Sequence, residues 1–226
     1  MRIPIGTSAA LRRATQLEIQ GRYGEAVELL RGIVAREPNY NAYVGLGRFL
    51  PMVGDLAGAE SALRRAVELD PNGVQARYTL SRVLWLQAEQ KRKTGADGEA
   101  KKLLEESVQQ AQLTIDQKPD YGLAYLSLGI GLKQLHRNPK AIDALQKAVK
   151  YVPEVPDSYL HLGELLAADG KTADFWEANL RFKTDASSTG PLAGKPVIMP
   201  AGMMGDRASV FFAAPGEIST FIKQQC

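Results

Sequence analysis

Tyr125-Leu-Ser-Leu-Gly-Ile-Gly-Leu132, followed by Ala141-Ile-Asp-Ala-Leu-Gln-Lys-Ala148 and then Pro153, decides how this chain folds. Its first half, reduced to Tyr-x-x-Leu-Gly-x-x-Leu, recurs at Tyr43/Leu46/Gly47/Leu50 and at Tyr159/Leu162/Gly163/Leu166. Its second half recurs at Ala59/Leu63/Ala66, again ahead of a proline, Pro71. Apolar residues three and four apart in both halves describe amphipathic helices. Gly47, Gly129 and Gly163 on the first helix, and Ala26, Ala59 and Ala141 on the second, are small where two antiparallel helices approach most closely. Pro38, Pro71, Pro119 and Pro153 lack an N–H and disfavour helix in the residue before them, so each ends a second helix. Gly21, Gly54 and Gly170 mark the turns inside the pairs. The last two copies are 34 residues apart, and a period of that size means stacked repeats rather than one globular core.

The pattern resembles the tetratricopeptide repeat. That resemblance implies an all-α, right-handed superhelical solenoid of about five antiparallel helix pairs, with units at 7–40, 41–73, 74–121, 122–155 and 156–185 and ten helices from about 8 to 183. Unit one has a poor first helix, with Ala14 at the small position and Ala10 and Arg13 where tyrosine and leucine are expected. Unit three is longer. Gly47 to Gly129 is 82 residues, one unit of 34 plus one of 48, and the excess of 14 divides into about two turns on each helix, which keeps their facing register. The added stretch, Ala88 to Leu104, is mostly charged, with Gly95 and Gly98 at its tip. It reads as a helical hairpin projecting into water, with partner binding as the alternative.

Residues 1–185 form the expected array, and 186–226 an irregular tail. Repeat periodicity stops near Thr184, and Asp185-Ala-Ser-Ser-Thr-Gly-Pro-Leu-Ala-Gly-Lys-Pro196 has loop composition. The departure begins at Phe175 and Trp176, at and beside a position that elsewhere holds alanine. Three readings of the tail stay open: partial disorder, a segment folded on the last repeat, or the start of a downstream domain. Repeat arrays draw their stability from nearest-neighbour interfaces. Truncation at Asp185 is therefore expected to leave the thermal unfolding of units one to four nearly unchanged. A large fall in the calorimetric midpoint would establish instead that the tail is docked.

Composition is that of an ordinary soluble helical chain, and a formal charge of +3 is too small to imply nucleic acid as a partner. No segment approaches the ~20 apolar residues of a membrane helix. Met1-Arg-Ile-Pro-Ile-Gly-Thr-Ser8 has a charge but no apolar run, so it is not a secretory signal; with Met1 as the true start, the expected location is the cytoplasm. Gly190-Pro-Leu-Ala-Gly-Lys-Pro196 fails as a phosphate-binding loop, because three residues rather than four separate the glycines and proline replaces the hydroxyl residue. His136 and His161 have no second His or Cys at ligand spacing, so no metal or other cofactor is expected. No constellation of catalytic residues emerges.

In the repeat family, ligands lie on a concave wall made by the first helices. Carried onto this sequence, the resemblance places Arg12, Asn41, Arg48, Tyr78, Arg82, Trp85 and Lys133 on that wall. Arg12, Arg48 and Arg82 would form a basic track beside Tyr78 and Trp85, suited to a peptide with an acidic group and an apolar neighbour. The alternative is that the arginines are solvated and Trp85 packs between repeats. The Lys/Asn clamp for a terminal carboxylate found in some family members has no match, since Leu11/Thr15 and Val44/Arg48 stand there. The expected function is a non-catalytic scaffold that docks an extended or helical protein segment. The alternative is the substrate-recruiting arm of a larger transferase-type enzyme.

Overall fold

The computed structural model describes residues 7–168, which form nine α-helices and no strand. They are α1 Thr7–Ile19, α2 Tyr23–Val34, α3 Tyr40–Phe49, α4 Leu56–Leu69, α5 Val74–Lys93, α6 Asp97–Gln117, α7 Gly122–Gln134, α8 Asn138–Tyr151 and α9 Pro156–Ala168. Residues up to His161 belong to one compact unit and those from Leu162 onward to a second. Of the second, the end of α9 is described, with Leu162, Leu165 and Leu166 buried. A tenth helix, the turn at Gly170, Phe175 and Trp176, and the tail at 186–226 lie outside the described residues.

From α1 to α8 each helix packs on the next in sequence, and the first helices of successive pairs, α1, α3, α5 and α7, also touch one another. The hinge inside each pair has one geometry. A left-handed residue, Gly21, Gly54, Gly95 or His136, follows the first helix. The next N–H then reaches back to a carbonyl five residues earlier: Arg22 to Leu17 at 2.9 Å, Asp55 to Leu50 at 2.9 Å, Ala96 to Lys91 at 3.0 Å and Arg137 to Leu132 at 2.9 Å. His136 thus holds a backbone position that glycine fills in the other three pairs. In the second pair Pro51, with no N–H to give, turns the end of the first helix into a 3₁₀ turn over Leu50–Val53. Two helix starts are capped by side chains: Asn39 accepts from the Ala42 N–H at 3.0 Å and Asp55 from the Gly58 N–H at 2.7 Å.

The small residues of the pattern mark the tightest contacts, and leucine fills them. A Cβ on Gly47 would collide with the side chain of Leu63, and one on Gly129 would stand 2.5 Å from Leu145 Cγ and 3.4 Å from the Ala141 carbonyl oxygen. Leu63 and Leu145 are fully buried. The glycines of the first helices therefore face a leucine one turn beyond the alanine that the pattern sets opposite them.

The third pair solves the same problem differently. Its helices are each seven residues longer than those of the fourth pair, 20 against 13 and 21 against 14. Counting back from Pro119, the residue equivalent to Leu63 and Leu145 is Ala111, and the one equivalent to Ala59 and Ala141 is Ser107. Where the second and fourth pairs set glycine against leucine, the equivalent positions of this one hold Ser81 and Ala111. Ser81 is buried and donates to the Tyr78 carbonyl at 2.9 Å, while the Ser107 hydroxyl crosses to the Ser81 carbonyl at 2.7 Å. The extra turns carry a small core of their own, Ala88, Ala100 and Leu104, with Trp85, Leu103 and Leu135 against it. They are tied to both neighbours: Gln87 donates to the Leu56 carbonyl and Glu60, Gln134 donates to Glu89, and Arg137 to Glu105. Beyond that base the hairpin is exposed and carries Lys91–Glu99 and Arg92–Glu89 ion pairs.

Candidate functional site

The wall made by α1, α3, α5 and α7 presents the same repeat positions at successive levels. Arg48, Arg82 and Ile130 are equivalent, and so, one turn earlier, are Val44, Tyr78 and Leu126. Val44 and Leu126 are nearly covered and Tyr78 is buried at 8% exposure, so this row is the floor on which the next row stands. Arg48 and Arg82 are exposed.

The three arginines of the basic track differ in what they meet. Arg12 is exposed on α1. Arg48 is paired with Glu18 of α1, 30 residues away, and its guanidinium lies 5.4 Å from the Phe49 ring centroid. Arg82 has no carboxylate partner among the described residues; its guanidinium lies 5.8 Å from the centre of the Tyr78 ring. A continuous basic track is therefore not what the wall offers: Glu18 neutralises its middle member. Asn41 is exposed at the start of α3. Lys133 Nζ sits 3.3 Å from His161 Nδ1, joining the fourth pair to α9. Trp85 is partly buried against the base of the long hairpin, and its indole N–H has no hydrogen-bond partner among the described residues. An unmet buried donor costs about 1–3 kcal/mol.

Tyrosines that the sequence reading passed over complete the site. Tyr121, the residue before α7, meets Tyr78 edge-on with centroids 5.3 Å apart, and its hydroxyl donates to Gln75 Oε1 at 3.2 Å. Tyr40, at the start of α3, accepts from the Ala76 N–H at 3.2 Å. Its ring occupies the space a Cβ on Gly73 would need. The available signal was positional: Tyr40 and Tyr121 both stand two residues after a repeat-ending proline, and Gly73 holds that place in between. Burial raises the pKa of Tyr121, with Tyr78 and Tyr40 adding to the rise and Arg82 opposing it. Burial likewise raises that of Tyr40, against the Ala76 hydrogen bond. Both phenols stay neutral at physiological pH, as ring faces that attract cations.

Among the described residues, no three His, Cys, Asp or Glu side chains come together as a metal site needs, and no helix is long and apolar enough to cross a membrane. What the wall offers is shape, rings and cations. The described residues define a helical-repeat protein. Tetratricopeptide-repeat signatures match residues 11–74, 52–122 and 126–191, and the chain belongs to the tetratricopeptide-repeat family. No curated protein sequence matches it. Among solved structures, MamA is similar at a TM-score of 0.63 and 17% identity, over 83% of this chain and 99% of that one. TTC0263, a thermophilic TPR protein of Thermus thermophilus, is similar at 0.62 and 21% identity, over 80% and 91%. YrrB, described as a TPR protein with an unusual peptide-binding site, is similar at 0.55 and 22% identity, over 70% and 75%. At these identities the likeness shows the fold.

Proposed function

We propose that this protein is a non-catalytic scaffold that docks an extended or helical segment of a protein partner on the wall of its first helices. The reading is supported by the family and by the peptide-binding site described for YrrB. The observation that carries it is Arg82, an exposed cation with no carboxylate partner among the described residues, held over a buried tyrosine on that wall. Aromatic rings and arginine are the residues in which binding energy concentrates at protein interfaces. Asn41 and Arg12 extend the docking face toward the N-terminal pairs, and Arg48, Trp85 and Lys133 border it. The acidic partner group meets Arg82 rather than Arg48, because Glu18 already holds Arg48.

Photo-crosslinking residues introduced singly at Arg12 and Asn41 of the full chain should trap the same partner, and one at Arg65 or Lys147 on the second helices should not. The opposite pattern moves the docking face to the second helices. With that partner in hand, Arg82→Glu or Trp85→Ala should weaken binding by roughly tenfold or more, about 1.4 kcal/mol. Charge reversal at Lys91 or Lys101 on the hairpin should matter less. Loss of binding through the hairpin changes alone would make the hairpin the docking element.

A further inference from the structure

Along α5 and across the loop before α7, four side chains alternate as cation, ring, ring and cation. Arg82 Cζ stands 5.8 Å from the Tyr78 ring centre, the Tyr78 and Tyr121 centroids are 5.3 Å apart at 64°, and Lys118 Nζ stands 5.6 Å from the Tyr121 centre. Both cations are exposed, and neither forms an ion pair with any described residue. Among the other described arginines most are matched, for example Arg22 with Glu25, Arg31 with Glu28, Arg64 with Glu60 and Glu106, and Arg92 with Glu89. The two tyrosines are fixed from below, Tyr78 by burial and Tyr121 by its hydrogen bond to Gln75.

We propose that this ladder is a two-point receptor for an extended protein segment carrying two carboxylate side chains within about five residues of each other, at ~3.3 Å of chain per residue. The inference rests on the first-helix wall being the docking face. The three links bound the separation of the cations, and that bound sets the spacing of the acids. A guanidinium held near a ring by cation–π attraction keeps its planar fork of donors free for a carboxylate, and less freedom is lost on binding. Charge decides between two carboxylates and one phosphate. A phosphate dianion is met by cations converging on one point, whereas these two stand at opposite ends of a tyrosine pair, each suited to a single negative charge. Two cations are also too few for a nucleic-acid backbone track.

Fluorescence anisotropy on the full chain tests this with a fluorescein-labelled peptide in which two glutamates are separated by a few leucine and serine residues. The diacid peptide should bind, more weakly as salt is raised, and its counterpart with both glutamates changed to glutamine should fail to compete. Arg82→Gln and Lys118→Gln should each weaken binding by roughly tenfold. The double variant Arg82→Glu/Lys118→Glu should instead take the peptide with two lysines, which separates a charge effect from misfolding; unchanged circular dichroism is the second control. The proposal is overturned by absence of saturable binding to the diacid peptide, by equal binding of the diglutamine peptide, or by indifference to both substitutions. Tighter binding of a single-phosphoserine peptide or of labelled oligouridylate overturns it as well. Crosslinks that persist from Arg12 and Asn41 in any of those cases keep the docking face and remove the ladder alone; crosslinks that move to Arg65 or Lys147 remove the docking face itself.

Discussion

Gly129→Leu lowers the unfolding free energy by about 1–3 kcal/mol or more. The first added atom alone would stand 2.5 Å from Leu145 Cγ, a separation that packed carbons do not adopt, and the Ala141 carbonyl lies 3.4 Å away on the other side. Leu145 is fully buried and has no open space to turn into. The α7–α8 pair must then spread, and because a repeat is held by its neighbours the damage reaches both interfaces of the fourth pair. Urea denaturation should show a lower midpoint with little change in slope. Gly98→Leu is the control. A Cβ there meets nothing within 4 Å, so the same substitution in the exposed hairpin should leave the midpoint unchanged or raise it through helix propensity. Equal midpoints for wild type and Gly129→Leu would remove the close approach from the account of the fold.

Helix pairing was legible because its signals are local. A proline ends the helix before it whatever surrounds it, and a glycine between two apolar stripes marks close approach. Which side chain fills the approach is not local. The pattern set Ala59 opposite Gly47, and the atoms nearest a Cβ on Gly47 belong to Leu63, one turn further along the second helix. The wall shows the same division. Repeat register placed Arg48 and Arg82 at equivalent positions, and both are exposed there. Register carries no information about Glu18, which lies on another helix and neutralises one arginine but not the other. Tyr121 was missed because it precedes its helix and so falls outside the positions that first helices contribute to the wall.

The third pair allows a sharper test of what glycine does in this architecture. Ser81 occupies the glycine position and Ala111 the leucine position, an exchange of volume that would keep the close approach if the two share one space. The Ser107 hydroxyl bonded to the Ser81 carbonyl fixes that register, since Ser107 is the counterpart of Ala141, whose carbonyl lies beside Gly129. Ala111→Leu alone forces a leucine against an existing side chain and is expected to cost about 1–3 kcal/mol. Ser81→Gly alone removes a buried hydrogen bond to Tyr78 and places glycine inside α5, at about 0.5–1 kcal/mol for the backbone alone. Together they rebuild the glycine–leucine pair of the second and fourth units, and the double variant should be more stable than the sum of the two losses predicts. A coupling of about 1 kcal/mol or more is the expected reading of the cycle, against the few tenths that unrelated sites show. Simple additivity would mean that Ser81 and Ala111 do not share one space, and that the third pair meets its close approach through the Ser107 hydrogen bond alone.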